Sequence, residues 1–208
     1  MTAIRPIVHV VDDDDSLRTA VTRLLRAARY EVRAYPSAGE FLLARPGQAP
    51  GCVILDVCMP GPSGLDVQAA FSKYDDPLPI IFLTGQGDIR MSVRAMQAGA
   101  VDFLTKPVQS EALLNAVQTA LARDADNRAA QERARAWRAR YEKLSPRERA
   151  VCTLVVAGNL NKQVAAQLGI SLRTVKAHRG QVMEKLQVAS LVELVHLAEQ
   201  FQTDSPQR

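Results

Sequence analysis

The sequence predicts an α/β protein, a doubly wound five-stranded parallel sheet followed by a small all-α domain of four short helices. Three observations predict it. Between residues 7 and 122, short runs apolar at consecutive positions alternate with stretches of helical period, as strands buried on both faces and covered by helices require. Beyond residue 144 the pattern changes to short helical segments punctuated by Pro146, Gly158 and Gly169. Charge divides in the same way. Residues 1–122 carry 11 Lys/Arg against 13 Asp/Glu, a net of −2, and residues 123–208 carry 15 against 9, a net of +6; the two make the chain's +4. An acidic front and a basic rear suit a cation in the first part and a polyanion on the second.

In chain order, the expected strands are Ile7–Val11, Glu31–Tyr35, Cys52–Leu55, Pro79–Leu83 and Val101–Leu104, and the expected helices lie near 15–28, 37–45, 64–73, 88–98 and 110–122. Residues 1–122 are thus one domain. Residues 123–143 form a linker expected to be helical, because they are rich in Ala and Arg and place Asp124 with Arg128, and Arg138 with Glu142, four residues apart. Asp126 and Asn127 weaken that reading and leave a frayed connector open. Trp137, Tyr141 and Leu144 make a short apolar seam at its end.

Residues 144–202 form the second domain. Ser145 as cap, Pro146 at the first position and Glu148 three residues after the cap begin a helix that runs to about Ala157. A second helix, Asn161–Leu168, stops at Gly169, and Ser171 caps a third, Leu172–Leu186. The last is Leu191–Phe201, and residues 203–208 are expected to be a disordered tail. Two short helices joined by a tight glycine turn predict a helix-turn-helix.

Composition excludes several classes. Cys52, Cys58 and Cys152 lack paired metal-binding spacing and are expected to be reduced thiols. No apolar run approaches the roughly 18 residues of a membrane span, and the N-terminus lacks a basic-then-apolar leader, so no membrane association and a cytoplasmic location are expected.

The first strand runs into Asp12-Asp13-Asp14-Asp15, the third into Asp56, the fourth into Thr84, and the fifth through Thr105 into Lys106, held before Pro107. Open α/β sheets bind ligands at this carboxyl edge. Asp12, Asp13 and Asp56 together would repel one another unless a cation sat among them, and hard oxygen donors suit Mg²⁺. With a hydroxyl and an ammonium facing the carboxylates, the set fits phosphoryl transfer to a carboxylate. Asp14 and Asp15 are read as the start of the following helix. Each residue alone has a plainer explanation, as a cap, a strand-end hydroxyl or a solvated charge; four strand ends agreeing is the argument.

In the second domain, Val175, Val182, Met183 and Leu186 make a buried stripe on the third helix, while Arg173, Thr174, Lys176, Ala177, His178, Arg179 and Gln181 fill its other faces with donors. Such a surface can meet phosphates and guanine edges. Gly180, inside this helix, costs about 1 kcal/mol against Ala, which proximity to DNA or a neighbour would explain. A merely solvated helix is the plain alternative.

Val10-Val11-Asp12-Asp13, Leu55-Asp56 followed by Met59-Pro60-Gly61 and Gly64, Thr84-Gly85, Ala98-Gly99-Ala100 and Lys106-Pro107 resemble the receiver domains of two-component response regulators, over about residues 5–122. The resemblance implies a flavodoxin-like fold in which Asp56 accepts a phosphoryl group from a sensor histidine kinase. It further implies Mg²⁺ held by Asp13 directly, by Asp12 through water, by Asp56 and by the carbonyl of Cys58. Thr84 and Lys106 would contact the phosphoryl oxygens, and Phe103 would be the aromatic switch beside Thr84. The fourth helix, fifth strand and fifth helix would then form the homodimer face.

The stretch Leu144–Ala198 is similar to LuxR-type DNA-binding domains through Arg147-Glu148, Gly158-x-x-Asn161-Lys162-x-Val164-Ala165, Ile170-Ser171-x-x-Thr174-Val175-Lys176-x-His178 and Lys185-Leu186. The pair of domains points to the FixJ/NarL class, with Gly85-Gln86-Gly87-Asp88 and His178-Arg179-Gly180 most like the FixJ type. This resemblance implies promoter DNA and RNA polymerase as partners and Lys162, Arg173, Thr174, Lys176, His178 and Arg179 as DNA contacts. Such a protein is a regulator and not an enzyme beyond its own phosphotransfer. Two rivals stand beside it: a haloacid-dehalogenase-like phosphatase using Asp12 as nucleophile, and a constitutive DNA-binding protein with an inactive receiver.

Overall fold

A computed structural model describes residues 5–44, 49–73, 77–85 and 89–202. The expected tail at 203–208, most of the Gly85-Gln86-Gly87-Asp88 motif, and the expected helix ends at 45 and 88 lie outside those residues. The elements are β1 (Ile7–Val11), α1 (Asp15–Ala27), β2 (Glu31–Tyr35), α2 (Ala38–Leu43), β3 (Gly51–Asp56), α3 (Gly64–Phe71), β4 (Ile80–Thr84), α4 (Ile89–Gln97), β5 (Asp102–Thr105), α5 (Ser110–Glu142), α6 (Pro146–Val156), α7 (Asn161–Leu168), α8 (Leu172–Leu186) and α9 (Leu191–Gln202). They fall into two compact units, Met1–Arg128 and Ala129–Arg208.

The five strands pair in parallel in the order β2-β1-β3-β4-β5. Strand residues of alternate parity feed two cores. Val11, Val53, Leu55, Ile80 and Phe82 pack with Phe41, Val67, Phe71 and Ala95 from α2, α3 and α4. Val8, Val10, Cys52, Ile54, Ile81 and Leu83 pack with Val21 and Leu25 of α1 and Leu113, Val117 and Ala120 of α5. Burial on both faces is why the strands read as unbroken apolar runs rather than alternating ones. Because the order reverses direction between β1 and β3, a crevice opens at their carboxyl ends.

Asp14 caps α1 by accepting from the N–H groups of Ser16 and Leu17, the helix-starting role expected for it. Ser63 and Asp66 form a capping box on α3. In the second unit, Ser145 and Glu148 do the same on α6, with Pro146 in the first turn, and Gly169 ends α7 with a φ of 64°. Here the core is Val151, Cys152, Val155, Val164, Val175, Val182, Leu186, Leu194, Ala198 and Phe201, joined by Ala134, Trp137 and Leu144.

Residues 123–143, read above as a linker, are divided between the units. Asp124, nearly fully buried, accepts from Gly51 N–H at 2.9 Å and from Arg128 Nε at 2.9 Å, and Arg128 also donates to the Ala49 carbonyl at 2.9 Å. Ala134 and Trp137 instead belong to the second core, where Trp137 stacks on Phe201 at 5.8 Å between centroids.

Candidate functional site

Asp12 follows β1, Asp56 and Thr84 are the last residues of β3 and β4, and Lys106 follows β5. Strand register brings these ends level, with Val11 beside Leu55, Asp56 beside Leu83 and Thr84 beside Thr105. The Lys106 ammonium lies 2.8 Å from Asp12 Oδ2 and 3.0 Å from Asp56 Oδ2, bridging the two carboxylates. Asp12, Asp56 and Thr84 are buried, whereas Asp13 is exposed at the rim. Asp12 is further held through Oδ1 by the Asp14 N–H at 2.9 Å, and Arg18, itself paired with Asp15, donates to the Asp12 carbonyl at 2.6 Å. Cys58 donates its N–H to Asp56 Oδ1 at 3.2 Å, and its side chain is exposed. The Lys106 N–H donates to the Thr84 carbonyl at 2.7 Å, which ties the two strand ends together.

Electrostatics follow from this packing. Burial pushes the Asp56 carboxyl above its ordinary range, the charge of Asp12 adds to the rise, and Lys106 with the Cys58 N–H pulls the other way. For Lys106, burial works against the ammonium, but the hydrogen bonds and charges of Asp12 and Asp56 prevail and hold it above the ordinary lysine range. One lysine does not neutralise three carboxylates. Asp12, Asp13 and Asp56 offer ligand oxygens all within 4.8 Å of one another, a hard, negatively charged donor set that fits a divalent cation such as Mg²⁺. Gly64 makes the neighbouring loop possible, since a Cβ there would sit 2.4 Å from the Asp56 carbonyl oxygen. Phe103 is half-buried on β5, its ring 6.1 Å from that of Phe82.

In the second unit, Val175, Val182 and Leu186 of α8 are buried and so turn the opposite side outward. At ~100° per residue, Arg173, Ala177, Gly180 and Glu184 lie on that outer side, with Lys176 and Gln181 flanking it. Arg173, Lys176 and, on α7, Lys162 are exposed and form no ion pair with another described residue. The other expected contacts sit differently. Thr174 belongs to the helix cap, its hydroxyl 2.8 Å from Ser171 Oγ. Arg179 is half-buried and donates to Asn161 Oδ1 at 2.7 Å. His178 is also half-buried, and its Nδ1 faces inward with no partner among the described residues.

Comparison with known proteins assigns a family to each of the two units. Residues 8–118 match the response regulator receiver domain, and residues 142–198 match the bacterial regulatory proteins of the luxR family. The chain is a response regulator. It is 47% identical over 195 residues to nodulation protein W of Bradyrhizobium diazoefficiens, covering 94% of this chain and 86% of that protein. The transcriptional regulatory protein FixJ of the same organism is 41% identical over 192 residues, covering 92% and 93%. Among solved structures, the response regulator StyR matches with a TM-score of 0.80 at 45% identity, covering 94% of this chain and 98% of that one. Two domain matches in this order set aside the phosphatase alternative, which leaves residues 142–198 without a role.

Several residues of this response regulator escaped sequence reasoning. Nothing in the spacing marks Asn161 as the partner of Arg179, eighteen positions on, or Lys185 as the bidentate partner of Glu148 at 2.7 and 2.9 Å. The pairing of Asp124 with Arg128 was expected from its four-residue spacing, but the bond from Gly51 N–H to Asp124 was equally hidden. Ile89, Val93 and Met96 of α4 were legible at helical spacing, and all three are exposed.

Proposed function

We propose that Asp56 is the phospho-acceptor through which a sensor histidine kinase controls this transcriptional regulator. The observation that carries the reading is the convergence of Asp12, Asp56 and Lys106 at one sheet edge. An Asp56 carboxylate oxygen attacks the phosphorus of the kinase's phosphohistidine, a P–O bond forms as the P–N bond breaks, and the released imidazole takes up a proton. Asp12, Asp13, Asp56 and the carbonyl of Cys58 would hold Mg²⁺. When bound, the ion supplies positive charge to the phosphoryl oxygens.

Phosphorylation replaces the single negative charge of the Asp56 carboxylate with a phosphoryl group that carries nearly two. Lys106 then turns from the carboxylates to the new oxygens, the Thr84 hydroxyl donates to them, and Phe103 follows into the space that Thr84 leaves. The consequence we propose is a homodimer through the α4–β5–α5 face, supported by the exposed stripe of Ile89, Val93 and Met96. The dimer binds a two-fold-related promoter through Lys162, Arg173 and Lys176, with Thr174, His178 and Arg179 supporting the helix that carries them, and meets RNA polymerase there. This work belongs in the cytoplasm. We assign residues 1–122 to the receiver, 123–143 to the connection, 144–202 to DNA binding and 203–208 to a tail.

Acetyl phosphate with Mg²⁺ should label the protein, and sedimentation should show monomer giving way to dimer, while Asp56→Asn should do neither. Labelling of Asp56→Asn equal to that of the parent would remove the proposal.

A further inference from the structure

We infer that Gly180 is the point at which the backbone of α8 comes against DNA, so that the missing side chain is itself a determinant of binding. The inference rests on the DNA-binding role of this unit and deepens it. Glycine inside a helix lowers stability relative to alanine, so a reason for it must exist either within the chain or outside it. Within the chain there is none among the described residues. Gly180 has no positive φ that would demand glycine, it is exposed, and a Cβ built on it meets nothing within 4 Å. Gly64 shows the opposite case, a glycine that the fold needs because the Asp56 carbonyl oxygen lies 2.4 Å from where its Cβ would be.

The direction in which Gly180 faces supplies the external reason. It lies on the outer side of α8, with Arg173, Ala177 and Glu184 and next to Lys176, opposite the buried Val175, Val182 and Leu186. Arg173 and Lys176 are exposed and pair with no described acid. A helix with cationic donors around a bare patch of backbone can sink deeper into the major groove than one with a side chain there, and so carries the donors to base edges. A neighbouring protein is the other class of occupant; two unpaired cations, Arg173 and Lys176, before the glycine against one acid, Glu184, after it favour the polyanion.

The test uses the full chain treated with acetyl phosphate, and as probe the duplexes that the parent protein selects from a random-sequence pool. Gly180→Ala and Gly180→Leu place good helix formers at the site. Both should raise the urea midpoint, with the folding equilibrium moving about fivefold toward the native state for the alanine variant. Affinity for the selected duplexes should fall about tenfold for alanine and further for leucine, as expected for groups that block a close approach. Lys176→Ala serves as the reference for the recognition surface. If it binds weakly while both Gly180 variants bind like the parent, the inference is overturned and the recognition helix stands; if Lys176→Ala also binds like the parent, the recognition helix itself is wrong. Loss of stability in the Gly180 variants would give the glycine to the fold and overturn the inference. Unchanged DNA affinity with loss of transcription in vitro would give it to a protein partner, with the same result.

Discussion

The acidic pocket and the recognition helix are both clusters of charge, yet they are built on opposite principles. In the pocket, Asp12 and Asp56 are buried and Lys106 bridges them within 3.0 Å, so two of its three carboxylates are already tied to one cation of the same chain. On α7 and α8, Lys162, Arg173 and Lys176 stand in solvent without a described partner. Buried, closely coupled charge responds sharply to one added group, because low dielectric and fixed geometry magnify it. Exposed charge is weakly coupled to the fold and strongly coupled to a polyanion. The pocket is therefore suited to sensing a small covalent change and the helix to holding a large ligand.

If that contrast holds, perturbing buried polar groups of the receiver should change stability, and perturbing the helix should change affinity. The largest stability effect is expected from His9, buried on β1 against Tyr35 and Phe41, whose pKa burial lowers to about 4, with Arg33 contributing. Above pH 6.5 the folded and unfolded chains both carry it neutral; below that the unfolded chain takes a proton that the folded one refuses. Stability should thus fall by about 3 kcal/mol as pH drops from about 6.5 to about 4. Unfolding curves of His9→Gln and parent across that range measure the difference, and parallel pH profiles would count against it. Next comes Asp124→Ala, which leaves the Gly51 N–H buried without its acceptor and Arg128 without its ion pair, and should cost about 2 kcal/mol in chemical denaturation.

Lys176→Ala is expected to act the other way, lowering DNA affinity about tenfold and flattening the salt dependence by about one ion, with the unfolding midpoint unmoved. Equal loss of stability in Lys176→Ala and Asp124→Ala would erase the contrast. Arg179→Ala is the intermediate case. Because Arg179 is bound to Asn161, the substitution should cost about 1 kcal/mol of stability and weaken DNA binding less than Lys176→Ala does. Titrations against one selected duplex, with unfolding curves run alongside, separate the two effects.

Local pattern was enough to read the sheet, its helices and the four strand ends of the pocket. A strand buried on both faces leaves an unbroken apolar run, a helix start leaves Ser-x-x-Glu or an Asp, and a parallel sheet presents the residues after its strands along one edge. Asp12, Asp56, Thr84 and Lys106 were legible for that reason. Tertiary structure alone decided which charges meet. Lys106 choosing both Asp12 and Asp56, Asp124 reaching back 73 positions to Gly51, and Arg179 meeting Asn161 of α7 all depend on distances between elements. Periodicity shows which face of an element is buried; a hydrogen bond between residues far apart in the chain is fixed only when the elements that carry them have packed.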